Sequence, residues 1–224
     1  DFFIISLLAA ALLVFAWLTW WPARPVQKSI AVLAFDNMSD DPAQQYFSEG
    51  IAEEILGTLA KIPELRVVSR SSSFTFKDKN LDLPTIAREL NVAHILEGSV
   101  RKSGNQVRIS AQLIEAATDS HLWSETYERD LTAANIFDIQ AQIAGSIAEA
   151  LNAVLVDGVE AEFRRPPTRN LQALEAYLLG KQRMASRSRQ ALTEAIDYFE
   201  SATDLDPQFA PAYLGLADAA LLMN

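Results

Sequence analysis

The chain of 224 residues is predicted to be a mixed α+β/α protein: an N-terminal transmembrane helix, a mixed β-sheet domain with packed helices, then an all-α stretch. Three observations carry this. Residues 2–21 contain no charge, no Pro and no Gly; residues 29–157 alternate apolar runs of strand length with helical stripes; and residues from 171 onward show helical periodicity alone.

The first segment, FFIISLLAAALLVFAWLTWW, makes a helix of roughly 30 Å, about the thickness of a bilayer's hydrocarbon core. Trp17, Trp20 and Trp21 stand at its far end, followed by Pro22 and Arg24, the order of an interfacial aromatic belt and a snorkelling cation. A cleaved signal peptide is the rival reading, but the apolar run exceeds a usual h-region and no Ala-x-Ala pattern follows Trp21. The chain starts at Asp1 rather than Met, so it is expected to be the downstream part of a longer protein.

Residues 22–28 read as a connector. Residues 29–35 (SIAVLAF) form a strand-length apolar run, ended by the turn-like residues 36–42. Phe47, Ile51, Ile55, Leu59 and Ile62 recur at helical spacing until Pro63. Residues 65–70 (LRVVSR) read as a second strand, and residues 83–90 as a short helix with Pro84 in its first turn. Residues 93–102, 106–115 and 121–129 are three successive strands, joined at Ser103-Gly104-Asn105 and Ala117-Thr118-Asp119. Val107, Ile109, Ala111 and Leu113 alternate with Arg108, Ser110 and Gln112, as a sheet with one wet face requires. A long helix follows, striped by Ile136, Ile139, Ile143, Ile147, Leu151 and Val154. The order is β-α-β-α-β-β-β-α, which implies one mixed sheet with helices against it.

Residues 158–170 form a linker, charged and Pro-interrupted at Arg164-Arg165-Pro166-Pro167. Residues 171–184, 188–205 and 210–223 are helices. The expected division is therefore a membrane helix at 1–21, a connector at 22–28, an α/β domain at 29–157, the linker at 158–170 and helices at 171–224.

Two resemblances sharpen this. Leu179-Gly180, then Ala195, Phe199, Ala202 and Pro207, resemble a tetratricopeptide repeat, and Tyr213, Leu216 and Ala217 resemble the start of a truncated second one. The loop after the first of these helices is longer than usual for that repeat, and Ala217 stands where Gly is commoner. Residues 29–155, through YFSEGIAEEIL, LEGSVRKSGNQVRIS and HLWSETY, resemble the TolB-amino-terminal-like domain of bacterial membrane signalling proteins. That resemblance implies a cytoplasmic output module before Asp1: a nucleotide cyclase, a winged-helix DNA-binding module or a protein kinase.

Composition narrows the chemistry. A net charge of −10 argues against a nucleic-acid surface, and the absence of cysteine removes disulfides, thiolate zinc sites and thiol nucleophiles. His94 and His121 are far apart and have no ligand spacing around them. Glu53-Glu54 project about 100° apart on a helix, so they read as a solvated face rather than an acid/base pair. Asp36-Asn37 and Asp40-Asp41 lie past the first strand, where a hard cation or a turn would use them, and turn and cap roles are the simpler reading. The Ser69 to Ser73 run has no tied base and no nucleophile-elbow pattern. Gly98 inside a strand marks a bulge or a close backbone approach. His121, Trp123 and Tyr127 are expected on one strand face, as packing or as a stacking platform. Arg101 and Arg108 flank a hairpin turn, where they could grip an anion or simply face solvent.

No catalytic, cofactor or metal residue is assigned, and the segment is expected not to be an enzyme. The expected function is a membrane-anchored sensory and protein-interaction half that passes partner binding to an upstream output module. The regulatory half of an adenylate or guanylate cyclase and a structural envelope scaffold are the alternatives. The repeat resemblance places a protein or peptide partner in a concave groove at Tyr177, Lys181 and Asp218. The remaining expected partners are the lipid bilayer at residues 2–21 and a second copy in a homodimer, with no nucleic acid. Arg24 and Lys28 alone would put the following domain in the cytoplasm; the family resemblance puts it in the periplasm, on a single-pass inner-membrane protein, and is preferred.

Overall fold

The computed structural model describes residues 26–153 and 165–223. Strand β1 (Val26–Val32) leads through the two-residue β2 (Asp36–Asn37) into helix α1 (Gln45–Leu59). Asp41 caps the intervening 3-10 turn by accepting from the Ala43 N–H at 2.9 Å. β3 is only Arg66–Val67, and a helical turn, α2 (Arg70–Ser73), starts where the second strand was expected to finish. The extended Ser69 at the N-cap of α2 ends that strand early. Helix α3 (Leu83–Leu90) follows its expected bounds, with Asp82 accepting from the Thr85 N–H at 2.7 Å and Asn91 closing it in the left-handed conformation.

The hairpin strands β4 (Val92–Ser103), β5 (Gln106–Glu115) and β6 (Ser120–Asp130) lie within a residue of their expected positions. Helix α4 (Ala133–Ala150) follows, capped by the Thr132 hydroxyl. The sheet has six strands in the order β3-β1-β4-β5-β6, with β2 extending the line of β1 along β4. β1 runs parallel to β3 and β4, whereas β4, β5 and β6 are antiparallel.

Strand alternation sends Ile30, Val32, Leu96, Val100, Ile109 and Leu113 to the face covered by α1 and α4. Ala31 and Ile95 go to the other face, under Phe76, Ile86 and Ala87. Gly98 sits where β4 passes β5 and Phe35; a Cβ there would lie 2.4 Å from the Ser110 carbonyl oxygen and 2.8 Å from the Phe35 ring. Of the two roles expected of it, a bulge or a close backbone approach, the structure shows the second.

Three helices complete the described chain: α5 (Leu171–Ala185), α6 (Arg189–Leu205) and α7 (Ala210–Met223). Phe199 of α6 is fully buried between Gly180 of α5 and Gly215 of α7, at each of which a Cβ would come within 2.7 Å of its ring. Gly50 of α1 likewise admits Leu178 of α5, since a Cβ there would lie 2.8 Å from that side chain. One continuous core therefore runs from the sheet through α1 into α5, α6 and α7.

The fold class is corrected on two points. Among the described residues no helix is long and apolar enough to cross a membrane, and the stretch expected to do so, residues 2–21, lies outside them. The C-terminal helices also do not stand as a tetratricopeptide array. A repeat buries its apolar faces on neighbouring repeats, whereas α5 buries its face on α1 and shares the core of the α/β domain. The observed architecture is a mixed sheet with packed helices, and both the transmembrane and the repeat expectations are withdrawn.

Candidate functional site

The junction between α1 and α5 holds the most highly connected charged cluster among the described residues. Glu49 and Glu53 are four residues apart and share one side of α1, and Glu54 lies a step around it. Arg70, at the start of α2, approaches Glu53 through Nε at 2.7 Å and Glu49 through Nη2 at 3.9 Å. Lys77 pairs with Glu49, and the Gln45 amide donates to the same carboxylate at 3.3 Å. From α5, Lys181 reaches Glu53 at 3.1 Å and Glu54 at 2.6 Å, while the Tyr177 hydroxyl donates to Glu54 at 3.1 Å. Three carboxylates thus meet three cations in a neutral, mostly covered seam.

Packing sets these geometries. Tyr177 is held edge-on to Phe209 at 5.1 Å and tilted against Phe199 at 5.9 Å, so its hydroxyl is fixed toward α1. Lys181, one turn on, lies over the Tyr177 ring at 5.4 Å. Burial raises the Tyr177 phenol well above its ordinary range, and the neighbouring Glu54 raises it further. Burial alone would lower the Lys181 ammonium, but Glu54, Tyr177 and Glu53 outweigh it and hold the charged form more firmly than in water. The seam can couple positions: α1 carries the residue 70–77 segment on one side and α5 on the other.

The structure brings Tyr177 and Lys181 together but turns them onto α1 rather than toward an open groove, while Asp218 is exposed on α7. Glu53 and Glu54, read from sequence as a solvated face, are in fact the acceptors of the seam. Nothing local to them announces this, because Lys181 is 127 residues from Glu54.

The other candidates resolve into local roles. Asn37 accepts from the Ser39 N–H at 3.0 Å, and Asp40 faces Arg101 at 3.9 Å across an exposed turn. The Ser69 hydroxyl bonds those of Ser71 and Ser72 at 3.2 and 3.1 Å. Arg101 and Arg108 are direct cross-strand partners. His94 is buried, with Nδ1 3.1 Å from the Ser29 carbonyl oxygen. The shared face expected for His121, Trp123 and Tyr127 is corrected by a bulge: Trp123 opposes Leu113 but His121 opposes Ile114, so His121 turns to the other face of the sheet. Among the described residues no group of three His, Asp or Glu side chains is placed to hold a metal ion. One residue was missed although the sequence does signal it. Gln140 lies on the apolar stripe of α4 beside Ile136, Ile139 and Ile143, and it is buried with them.

Comparisons with known proteins place this geometry. The chain is 42% identical over 203 residues to the Rhizobium meliloti (strain 1021) protein named "Putative adenylate cyclase 3". That alignment takes in 89% of this chain but 34% of the relative, so the chain spans about a third of the relative's length. Among solved structures it is similar to lipoprotein GNA1162 from Neisseria meningitidis, with a TM-score of 0.41 and 17% identity over 54% of this chain and 96% of that one. It is similar also to TolB from Acinetobacter baumannii, with a TM-score of 0.40 and 15% identity over 60% of this chain and 31% of that one. Residues 26–145 match the domain described as HilA/YgeH-like transcriptional regulator, second domain. The sequence resemblance had pointed to the TolB-amino-terminal-like domain across nearly the same residues. With more than half of its length in that match, the chain belongs to the HilA/YgeH-like transcriptional regulator second-domain family.

Proposed function

We propose that this segment is the regulatory half of a larger signalling protein whose output is nucleotide cyclisation, with the α1–α5 seam as its coupling element. The observation that carries the reading is the 42% identity to a protein named as an adenylate cyclase, of which this segment matches 34%. The seam supports it physically, because a partner that prefers one placement of α5 against α1 would bias the rest of the molecule by that difference in affinity. Asp218, exposed on α7, is the proposed partner contact; Tyr177 and Lys181 act through Glu54. The α/β unit, described through residue 153, and the helices from 171 are proposed as the two parts so coupled.

The experiment is cyclic AMP production from ATP by the full-length protein, with and without Lys181→Met and Asp218→Lys. A several-fold change in output from Lys181→Met, with cooperative unfolding retained, supports the reading. Absence of cyclase activity, or output indifferent to a broken seam, overturns it. The family match favours a second reading, a DNA-binding output, which promoter binding by the full-length protein would reveal. An envelope location for the domain rests on the sequence resemblance; labelling Ser103→Cys in intact and lysed cells with an impermeant maleimide tests it.

A further inference from the structure

A second feature lies on the far side of Glu54. A cleft of about 690 Å³ opens between the end of α1, the middle of α4, residues 165–169 and the α6–α7 corner. Its volume is in the range of small-molecule sites, and its walls include Phe137, Pro166, Pro167 and Pro211.

The polar groups of the cleft are unequally committed. The two carboxylates in its lining are both occupied: Glu54 by Lys181 and Tyr177, and Asp206 by the Thr168 hydroxyl at 2.6 Å and the Gln208 N–H at 3.0 Å. The guanidinium groups of Arg165 and Arg169 have no ion-pair partner among the described residues. Gln140 also lines the cleft, is only 3% exposed, and its Nε2 has no hydrogen-bond acceptor among the described residues. A buried amide donor left unpaired is unfavourable, and the neighbouring arginines favour an acceptor that carries negative charge.

We propose that this cleft binds a small organic anion, with a carboxylate or phosphate head near Arg165, Arg169 and Gln140 and an apolar body against Phe137 and the prolines. The assignment stands on the cleft's own geometry and does not depend on the cyclase reading. The ligand would touch the α/β layer through Gln140 and the helical layer through the α6–α7 corner.

Calorimetry on the full-length protein tests this with phenyl phosphate and benzoate as probes and benzyl alcohol as the uncharged control. One anionic probe is expected to bind with one-to-one stoichiometry, and the stronger of the two identifies the head group. Benzyl alcohol is expected to bind at least about tenfold more weakly, the loss of one good charge-assisted contact. The exposed pair Arg165→Gln with Arg169→Gln should weaken binding about tenfold or more without disturbing the fold. Gln140→Glu, which sets a like charge beside the head group, should abolish it. No binding at millimolar probe, equal binding of benzyl alcohol, or an affinity unchanged by the double arginine variant would overturn the proposal.

Discussion

Lys181 of α5 holds its ammonium 2.6 Å from Glu54 and 3.1 Å from Glu53 of α1, so one cation bridges two adjacent carboxylates on another helix. Its side chain is 16% exposed and theirs are 22% and 19%, which places the interaction between the surface and the buried limit. The strength of such a contact lies mostly in what its loss leaves behind.

Lys181→Met is accordingly expected to destabilise the protein by about 2 kcal/mol, because it leaves the mostly covered Glu54 carboxylate without its cation. Adding Glu54→Gln should recover part of that loss, since the uncompensated charge is then gone. Urea unfolding of the two single variants and the double variant checks this, and strictly additive effects would refute the coupling.

Two glycine substitutions should have opposite signs. Gly57, in α1, has nothing within 4 Å of a built Cβ, so Gly57→Ala should stabilise by up to about 1 kcal/mol through helix propensity alone. Gly180→Ala, in α5, puts its methyl 2.7 Å from the Phe199 ring. That ring is fully buried and is approached as closely by Gly215, so it has little room to shift, and a net loss of about 1–3 kcal/mol is expected. Thermal melts of both variants decide the signs.

Stability should be lost on the alkaline side. Burial, with Glu175 and other negative neighbours adding to it, pushes the Tyr46 phenol up to about 12, and Tyr127, Tyr177 and Lys181 are raised as well. Groups whose folded values lie above their unfolded ones stabilise fully below the unfolded value, about 10 for Tyr and 10.4 for Lys. Above that the unfolded chain releases protons that the folded one keeps, so stability falls with rising pH. These groups contribute no slope between about pH 7 and 9. Melting temperatures measured from neutral pH to above pH 10 should be flat and then fall. Tyr177→Phe should fall less steeply.

Asn170→Ala should loosen the entry to α5. The Asn170 side-chain oxygen Oδ1 accepts from the Gln172 and Ala173 N–H groups at 3.0 and 3.2 Å, and its side-chain amide Nδ2 donates to the Leu205 carbonyl oxygen at 3.0 Å, tying the start of α5 to the end of α6. A loss of about 1–2 kcal/mol is expected, at the upper end for an N-cap because the tie goes too. Faster hydrogen exchange confined to the first turn of α5 and the last of α6 would locate it. Uniform exchange across the chain would contradict a local cap role.

Residues close together in the chain made most of the secondary structure legible. The alternation of Val107 through Leu113 produces β5, and Pro84 with Asp82 produces the start of α3, because each depends on neighbours within a few positions. Gly98 stood out as a glycine within a strand, although the groups that crowd it, Ser110 and Phe35, are distant in the chain. The register shift that turns His121 away from Trp123 was not legible, since a bulge is decided by the strand opposite. Gln140 could have been picked out as a polar residue on an apolar stripe, but only the docked helices show that it lines a cleft.

The sequence by itself determined the longer helices and strands and their order, through periodicity and caps that act over a turn or two. Only the tertiary structure decided that α5 packs on α1, because that contact requires Gly50 to admit Leu178 and Phe199 to seat between Gly180 and Gly215. Once those apolar surfaces meet, Glu54 and Lys181 come within 2.6 Å across 127 residues of chain. Charge pairing of that kind is a consequence of docking, and no local pattern encodes it.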